Sequence, residues 1–297
     1  MLRAHELTDR SRLRIPLLVG EDCIHGHSFW EGATIFPTQL GMAGSWDAGL
    51  IERAARVTAV EVAATGIHWT FSPVLCITRD LRWAGSTRPS ARTPSSSASS
   101  PRRWCADTRR GAPRRARHPR HRETLRGLLR DAGRQRCLRG RPVAPQAALL
   151  VPAPFERVAR EGCGTFMLGY QTTDGVPITL NEWLLTDVLR GDWGYGGMLI
   201  TDWDNVGRMV WEQQIQPDYA HAAAAAVKAG NDMIMTTPRF FEGALQAIAA
   251  GMLDEADLDA AVARILTVKF ELGLFENPRR PDPQRIATEI ATPSTRR

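Results

Sequence analysis

The chain has 297 residues, 43% of them hydrophobic and 24% charged, an ordinary composition for a globular protein. No apolar run reaches the ~18 residues that a helical membrane span needs, so an integral membrane protein of that kind is excluded. The five cysteines are odd in number and lack CxxC spacing, which argues against a disulfide framework or a zinc ribbon. The formal net charge of +6 is unevenly spread: residues 86–153 hold 17 of the 38 basic side chains, all Arg, and three of the 32 acids, leaving 21 basic against 29 acidic groups elsewhere. Most of the chain is mildly acidic, and one block supplies all of its basicity.

In chain order, the N-terminus Met1–Pro16 has no apolar core of the signal-peptide kind, so a cytoplasmic location is expected. IPLLVGED (Ile15–Asp22) is a short apolar run ending in carboxylates and reads as a strand. Apolar and Ala residues at helical spacing predict a helix over Asp47–Thr65, stopped by Gly66. HWTFSPVL (His68–Leu75) is a second strand. Beyond the basic block, strands are expected at Gly164–Tyr170, Gly197–Trp203 and Asn231–Thr236. Helices are expected at Asn181–Leu189, Tyr219–Ala229, Phe241–Ala250 and Glu255–Leu272. This alternation predicts a parallel α/β architecture. The stretch after Pro278 is polar and Pro-rich and is expected to be loose.

Residues 86–153 break the rhythm. STRPSARTPSSSASSPRRW and RRGAPRRARHPRHRE show no apolar periodicity and too little apolar surface to offset chain entropy, so disorder is expected there. The block carries no interleaved aromatics and no recognition motif, so no specific nucleic-acid partner is expected, although salt-dependent nonspecific RNA binding is.

Four motifs place Asp, His, Trp or Tyr just after an apolar strand: GEDCIHG with GATIFP, RDLRW, GYQTTDGVPITLNEWLL and LRGDWGYGGMLITDWDNVG. Carboxylates accept hydrogen bonds from sugar hydroxyls, and aromatic faces pack on the C–H face of a pyranose. His25 and His27 alone give a metal two ligands without carboxylate support at metal spacing, so no metal and no cofactor are expected. Cys23, Cys76 and Cys163 read as buried or inert thiols.

With RILTVKFELGLFENP (Arg264–Pro278), these motifs resemble, in order, the N-terminal barrel of glycoside hydrolase family 3, the β-glucosidase-type enzymes, over residues 13–85 and 154–280. The resemblance implies a (β/α)8 TIM-type barrel. It also implies a retaining O-glycosyl hydrolase acting on β-D-glucosides or related β-linked sugars through a covalent glycosyl-Asp intermediate. Asp202 matches the family's nucleophile. Asp22 matches the residue that accepts hydrogen bonds from the sugar's hydroxyls, Tyr170 the one near the nucleophile, and Trp203 the one that walls the pocket. The implied partner is a small carbohydrate.

Two departures stand against this pattern. The family's RWGR reads RWAGSTR here, so Arg82 is not the equivalent of the substrate-gripping Arg, and the following Lys-His strand is missing. From Ala84 to about Pro154 the chain reads as a family segment translated out of frame. ETLRGLLRD (Glu123–Asp131) written in degenerate codons and moved forward one base reads KHFAGYSE, the missing motif. STRPSARTPSSSASSPRRW moved back one base reads VDETFGEDPFLIGELASAM. Single-base deletions near codons 84, 106–117 and 154 produce and then restore such a reading. The expected organisation is therefore a first barrel part (residues 1–85), an out-of-frame block (86–153), a second barrel part (154–280) and a flexible tail (281–297). With five candidate strands of eight, the barrel is expected to be incomplete. The competing readings are a catalytically impaired fragment and a non-catalytic sugar-binding remnant.

Overall fold

The computed structural model describes residues 1–75, 123–125, 152–173 and 175–292. A helix not foreseen from sequence, α1 (Leu2–Asp9), precedes β1 (Gly20–Glu21). A short α2 (Gln39–Ala43) leads into α3 (Ala48–Ala64), which matches the helical spacing closely. Asp47 caps α3, its side chain accepting from the N–H groups of Gly49 and Leu50 and so satisfying donors the first turn leaves open. Thr65 ends the helix, and Gly66 follows at φ +78°, the left-handed exit that glycine permits.

β2 (Trp69–Thr70) runs parallel to β1. In a second ladder, β3 (Glu123–Leu125), β4 (Thr165–Leu168) and β7 (Met198–Thr201) are all parallel, in that order across the sheet. Met233 extends this ladder by a parallel bridge to Ile200, so the Asn231–Thr236 segment pairs at one point instead of forming a full strand. β3 lies inside the block expected to lack structure. Its backbone pairs with Phe166–Leu168, beside β4, where the sequence led us to expect a strand to be lost. Residues 76–122 and 126–151, Arg82 and Cys76 among them, lie outside the described residues.

α4 (Pro152–Arg160) feeds β4. A small antiparallel hairpin, β5 (Thr172–Thr173) and β6 (Val176–Pro177), follows β4 and was not foreseen. The helix expected at Asn181–Leu189 has π character and extends over Trp183–Asp192, past Gly191. It begins with Asn181 Oδ1 accepting from the Leu184 N–H. After β7 come α5 (Asn205–Trp211), α6 (Tyr219–Lys228), α7 (Phe240–Ala249) and α8 (Glu255–Glu271).

All four residues of β4 and of β7 are buried, as parallel strands covered on both faces must be. Their alternation feeds two cores. Phe166, Leu168 and Leu199 pack with Phe155 and Val158 of α4 and with Leu184, Leu185 and Leu189 of the π-helix. Met167, Met198 and Ile200 pack with Trp69, Met233, Val268 of α8 and Leu272 just after it, which joins the two ladders.

The segment expected to be loose after Pro278 instead carries α9 (Pro283–Glu289), with its first turn capped by Asp282. The Asp282 N–H donates to Ala64 O, and the Ala291 N–H to the buried carboxylate of Glu61. Gly66 approaches Pro281 so closely that an added Cβ would lie 2.5 Å from its nitrogen. Polar composition concealed this docking because the contacts are backbone hydrogen bonds and a cap rather than apolar burial.

Candidate active site

Asp202 follows directly from β7. Its N–H continues the ladder to Leu168 O (2.9 Å), its Oδ1 accepts from the Trp203 N–H (2.8 Å), and its carbonyl accepts from the Asn205 N–H (3.2 Å). The side chain of Asn205 in turn donates to Gly169 O (2.9 Å), stapling the loop after β4 to the loop after β7. Asp202 is only 4% exposed, and its carboxylate is fixed by the main chain of the same turn. The turn is tight: Asp204 takes a left-handed conformation, and at Gly207 an added Cβ would meet Asp204 Oδ1 at 2.1 Å.

Tyr170 lies after β4, and its hydroxyl donates to Trp203 O (2.8 Å). The structure thus brings Asp202, Tyr170 and Trp203 together at the carboxyl ends of adjacent strands, the end where parallel α/β folds present side chains for chemistry. Trp203 is 59% exposed. Beside it the Arg208 guanidinium lies 4.7 Å from the Tyr170 ring centroid and 5.3 Å from that of Trp211. The Trp211 indole N–H donates to Asp204 Oδ2 (2.9 Å). The exposed Tyr170 and Trp211 side chains are each held by a hydrogen bond from the ring's own donor. Arg208 and Trp211 went unmarked in the sequence; their signal was the i, i+4 and i, i+7 spacing from Asp204 along α5.

Asp22 follows β1, on the other ladder. Its N–H donates to Glu21 Oε1 (3.0 Å), and its carbonyl accepts from the Ile24 N–H (2.9 Å). Next to it Cys23 is fully buried, and burial, reinforced by Glu21 and Asp22, pushes its thiol up to about 12. Cys163 is also buried, its thiol donating to Thr165 O. His25 Nδ1 pairs with Phe36 O (2.8 Å), and His27 faces Cys23 and Thr65. Among the described residues there is no group of three or more His, Cys, Asp or Glu placed to hold a metal ion. No helix among them is long and apolar enough to cross a membrane.

Comparison with known proteins shows the family. The family model for the glycosyl hydrolase family 3 N-terminal domain matches residues 2–100 and 149–268. The chain belongs to glycosyl hydrolase family 3. It is 50% identical to a structurally characterised β-glucosidase involved in saponin metabolism from intestinal bacteria, with a TM-score of 0.91, over 99% of this chain and 39% of that one. It is 27% identical to a β-glucosidase from Listeria innocua solved in complex with isofagomine, with a TM-score of 0.83, over 100% of this chain and 41% of that one. The lysosomal β-glucosidase of Dictyostelium discoideum is 29% identical over 89% of this chain and 33% of its own length. The periplasmic β-glucosidase of Salmonella typhimurium is 28% identical over 90% and 34%. The chain spans about a third of the length of these curated relatives. Its fold is accordingly α/β of the TIM type.

Proposed function

We propose that this chain carries the sugar-binding and nucleophilic half of a retaining glycoside hydrolase acting on β-D-glucosides or related β-linked sugars. The observation that supports the reading best is Asp202: a buried carboxylate on a rigid strand end, oriented by the Trp203 N–H, with aromatic rings at its rim. A carboxylate oxygen of Asp202 attacks C1 of the sugar, the bond from C1 to the leaving oxygen breaks, and that oxygen takes a proton from a general acid. Water then cleaves the glycosyl ester and returns the carboxylate. Asp22 accepts hydrogen bonds from sugar hydroxyls, Tyr170 holds the turn that carries Trp203, and Trp203 walls the pocket.

The test is turnover of an aryl β-glucoside, whose good leaving group needs little acid catalysis. Asp202→Ala is expected to lower turnover by about 10³-fold or more. A 2-fluoro-glucoside label found on any residue other than Asp202 would overturn the assignment.

The sequence itself favours a second reading, a sugar-binding remnant or impaired fragment, because the RWGR and Lys-His positions are missing. Glucose affinity without turnover of the aryl glucoside would select it. The same reading takes residues 86–153 as out of frame. The family match breaks off between residues 100 and 149, and β3 spans the codons that re-read as Lys-His-Phe. It also takes the barrel as incomplete, since the described residues hold five strands of the two parallel ladders plus the Met233 bridge. Nucleotide sequence across codons 80–160 decides this: in-frame homologous genes encoding this same peptide would remove the frame reading.

A further inference from the structure

We infer that Cys23, His27 and Thr65 form a buried relay that positions the Asp22 carboxylate. The inference rests on the reading of Asp22 as a sugar-contacting residue and adds to it the group that sets its geometry. All three side chains belong to residues no more than 2% exposed. The Thr65 hydroxyl, at the end of α3, donates its one proton to Val62 O (2.8 Å) and therefore accepts from His27 Nε2–H (2.9 Å). His27 Nδ1 is then a bare lone pair, and the Cys23 thiol, 3.4 Å away, donates to it. Direction passes unbroken from a helix-end carbonyl to the residue bonded to Asp22.

The surroundings keep the relay neutral. Burial pushes His27 down against the opposing pull of Glu61, and burial pushes Cys23 up. The Cys23 carbonyl is held as well, accepting from the Thr70 hydroxyl (3.2 Å) of β2. Cys23 is thus pinned by α3 through its side chain and by β2 through its backbone, so Asp22 leaves β1 in one direction. A buried network in which every member is satisfied is rigid in this way. A plain core position would need neither the matched tautomer nor the thiol donor.

His27 is a positioning residue, and its test needs no substrate. Imidazole nitrogen shifts of the intact chain are expected to show His27 as the neutral Nε2–H tautomer at pH 6.5, where a free imidazole is about half protonated. A neutral Nδ1–H tautomer, or an imidazolium at that pH, overturns the relay. Thr65→Val removes the acceptor and keeps the shape, whereas Thr65→Ser keeps the acceptor. The carbon-detected titration of the Asp22 carboxyl is expected to shift in Thr65→Val and in His27→Phe and to return in Thr65→Ser. An unmoved Asp22 titration in a folded Thr65→Val chain overturns the proposal. Glucose binding is then expected to weaken about tenfold in Thr65→Val and by no further factor when Asp22→Asn is already present. Full additivity of the two would separate His27 from Asp22. A native chain that binds no glucose sinks the glycosidase reading instead, while the carboxyl titration still decides the relay.

Discussion

Asp202 and His68 show how single residues are fixed by the main chain around them. Asp202 is met by the Trp203 N–H on its carboxylate and by Leu168 O on its own N–H, so its direction is set before any sugar arrives. His68 is fixed on both ring nitrogens: Nδ1 accepts from the Val19 N–H (2.9 Å) and Nε2 donates to Pro278 O (2.9 Å). It must be neutral to do both. Burial, aided by Arg279 and His5 and opposed by the Pro278 carbonyl, lowers it from 6.5 to about 4. The unfolded chain therefore binds the proton that the native His68 refuses, between about pH 6.5 and pH 4, and stability falls as pH falls through that window. The loss is on the order of 3 kcal/mol at its lower end. Urea midpoints from pH 7 to pH 4 should fall less steeply in His68→Gln, which keeps the donor to Pro278 but has no ring to charge. Equal slopes in the two proteins would show that His68 does not drive the dependence.

At the scale of the element, α3 is the best case of legibility. Its limits were readable because its cap, apolar spacing and stop are all local, and Asp47→Ala is expected to cost about 1 kcal/mol, seen as a lower thermal midpoint. β4 and β7 were equally legible, as short apolar runs ending in polar residues. Phe166 of β4, fully buried between Phe155 and Tyr195, should cost about 3–5 kcal/mol on Phe166→Ala, measured by urea unfolding. Elements without a strong period escaped. α1, α2 and α5 are short, and α9 has no buried residue. The strands of the hairpin β5–β6, Thr172–Thr173 and Val176–Pro177, fall in a stretch where the sequence shows a motif but no strand period. Asn231–Thr236 has a strand's composition, yet it forms a single bridge to its neighbour, and the Leu199 N–H pairs with the Asp232 side chain.

For the molecule as a whole, Asp232 is the clearest long-range tie. Its buried carboxylate accepts from Arg190 of the π-helix (2.9 Å), Arg264 of α8 (2.7 Å) and the Leu199 N–H of β7 (2.7 Å). Removing the acceptor leaves two guanidinium groups partly buried with no counter-charge, so Asp232→Ala is expected to destabilise the fold by about 3–5 kcal/mol, again by urea unfolding. A loss below about 1 kcal/mol would mean that the Arg side chains relax into solvent.

The sequence by itself determined the alternation of strands and helices, the ends of the long helices and the ordered motifs of family 3, because periodicity, caps and strand-end carboxylates are properties of neighbouring residues. Only the tertiary structure decided that the Tyr170 hydroxyl reaches Trp203, that His68 holds Pro278, and that the polar end of the chain packs on α3. Those contacts join residues 33 to 230 positions apart. Which distant strand ends and loops meet depends on how the two cores pack, and no local pattern of side chains encodes that.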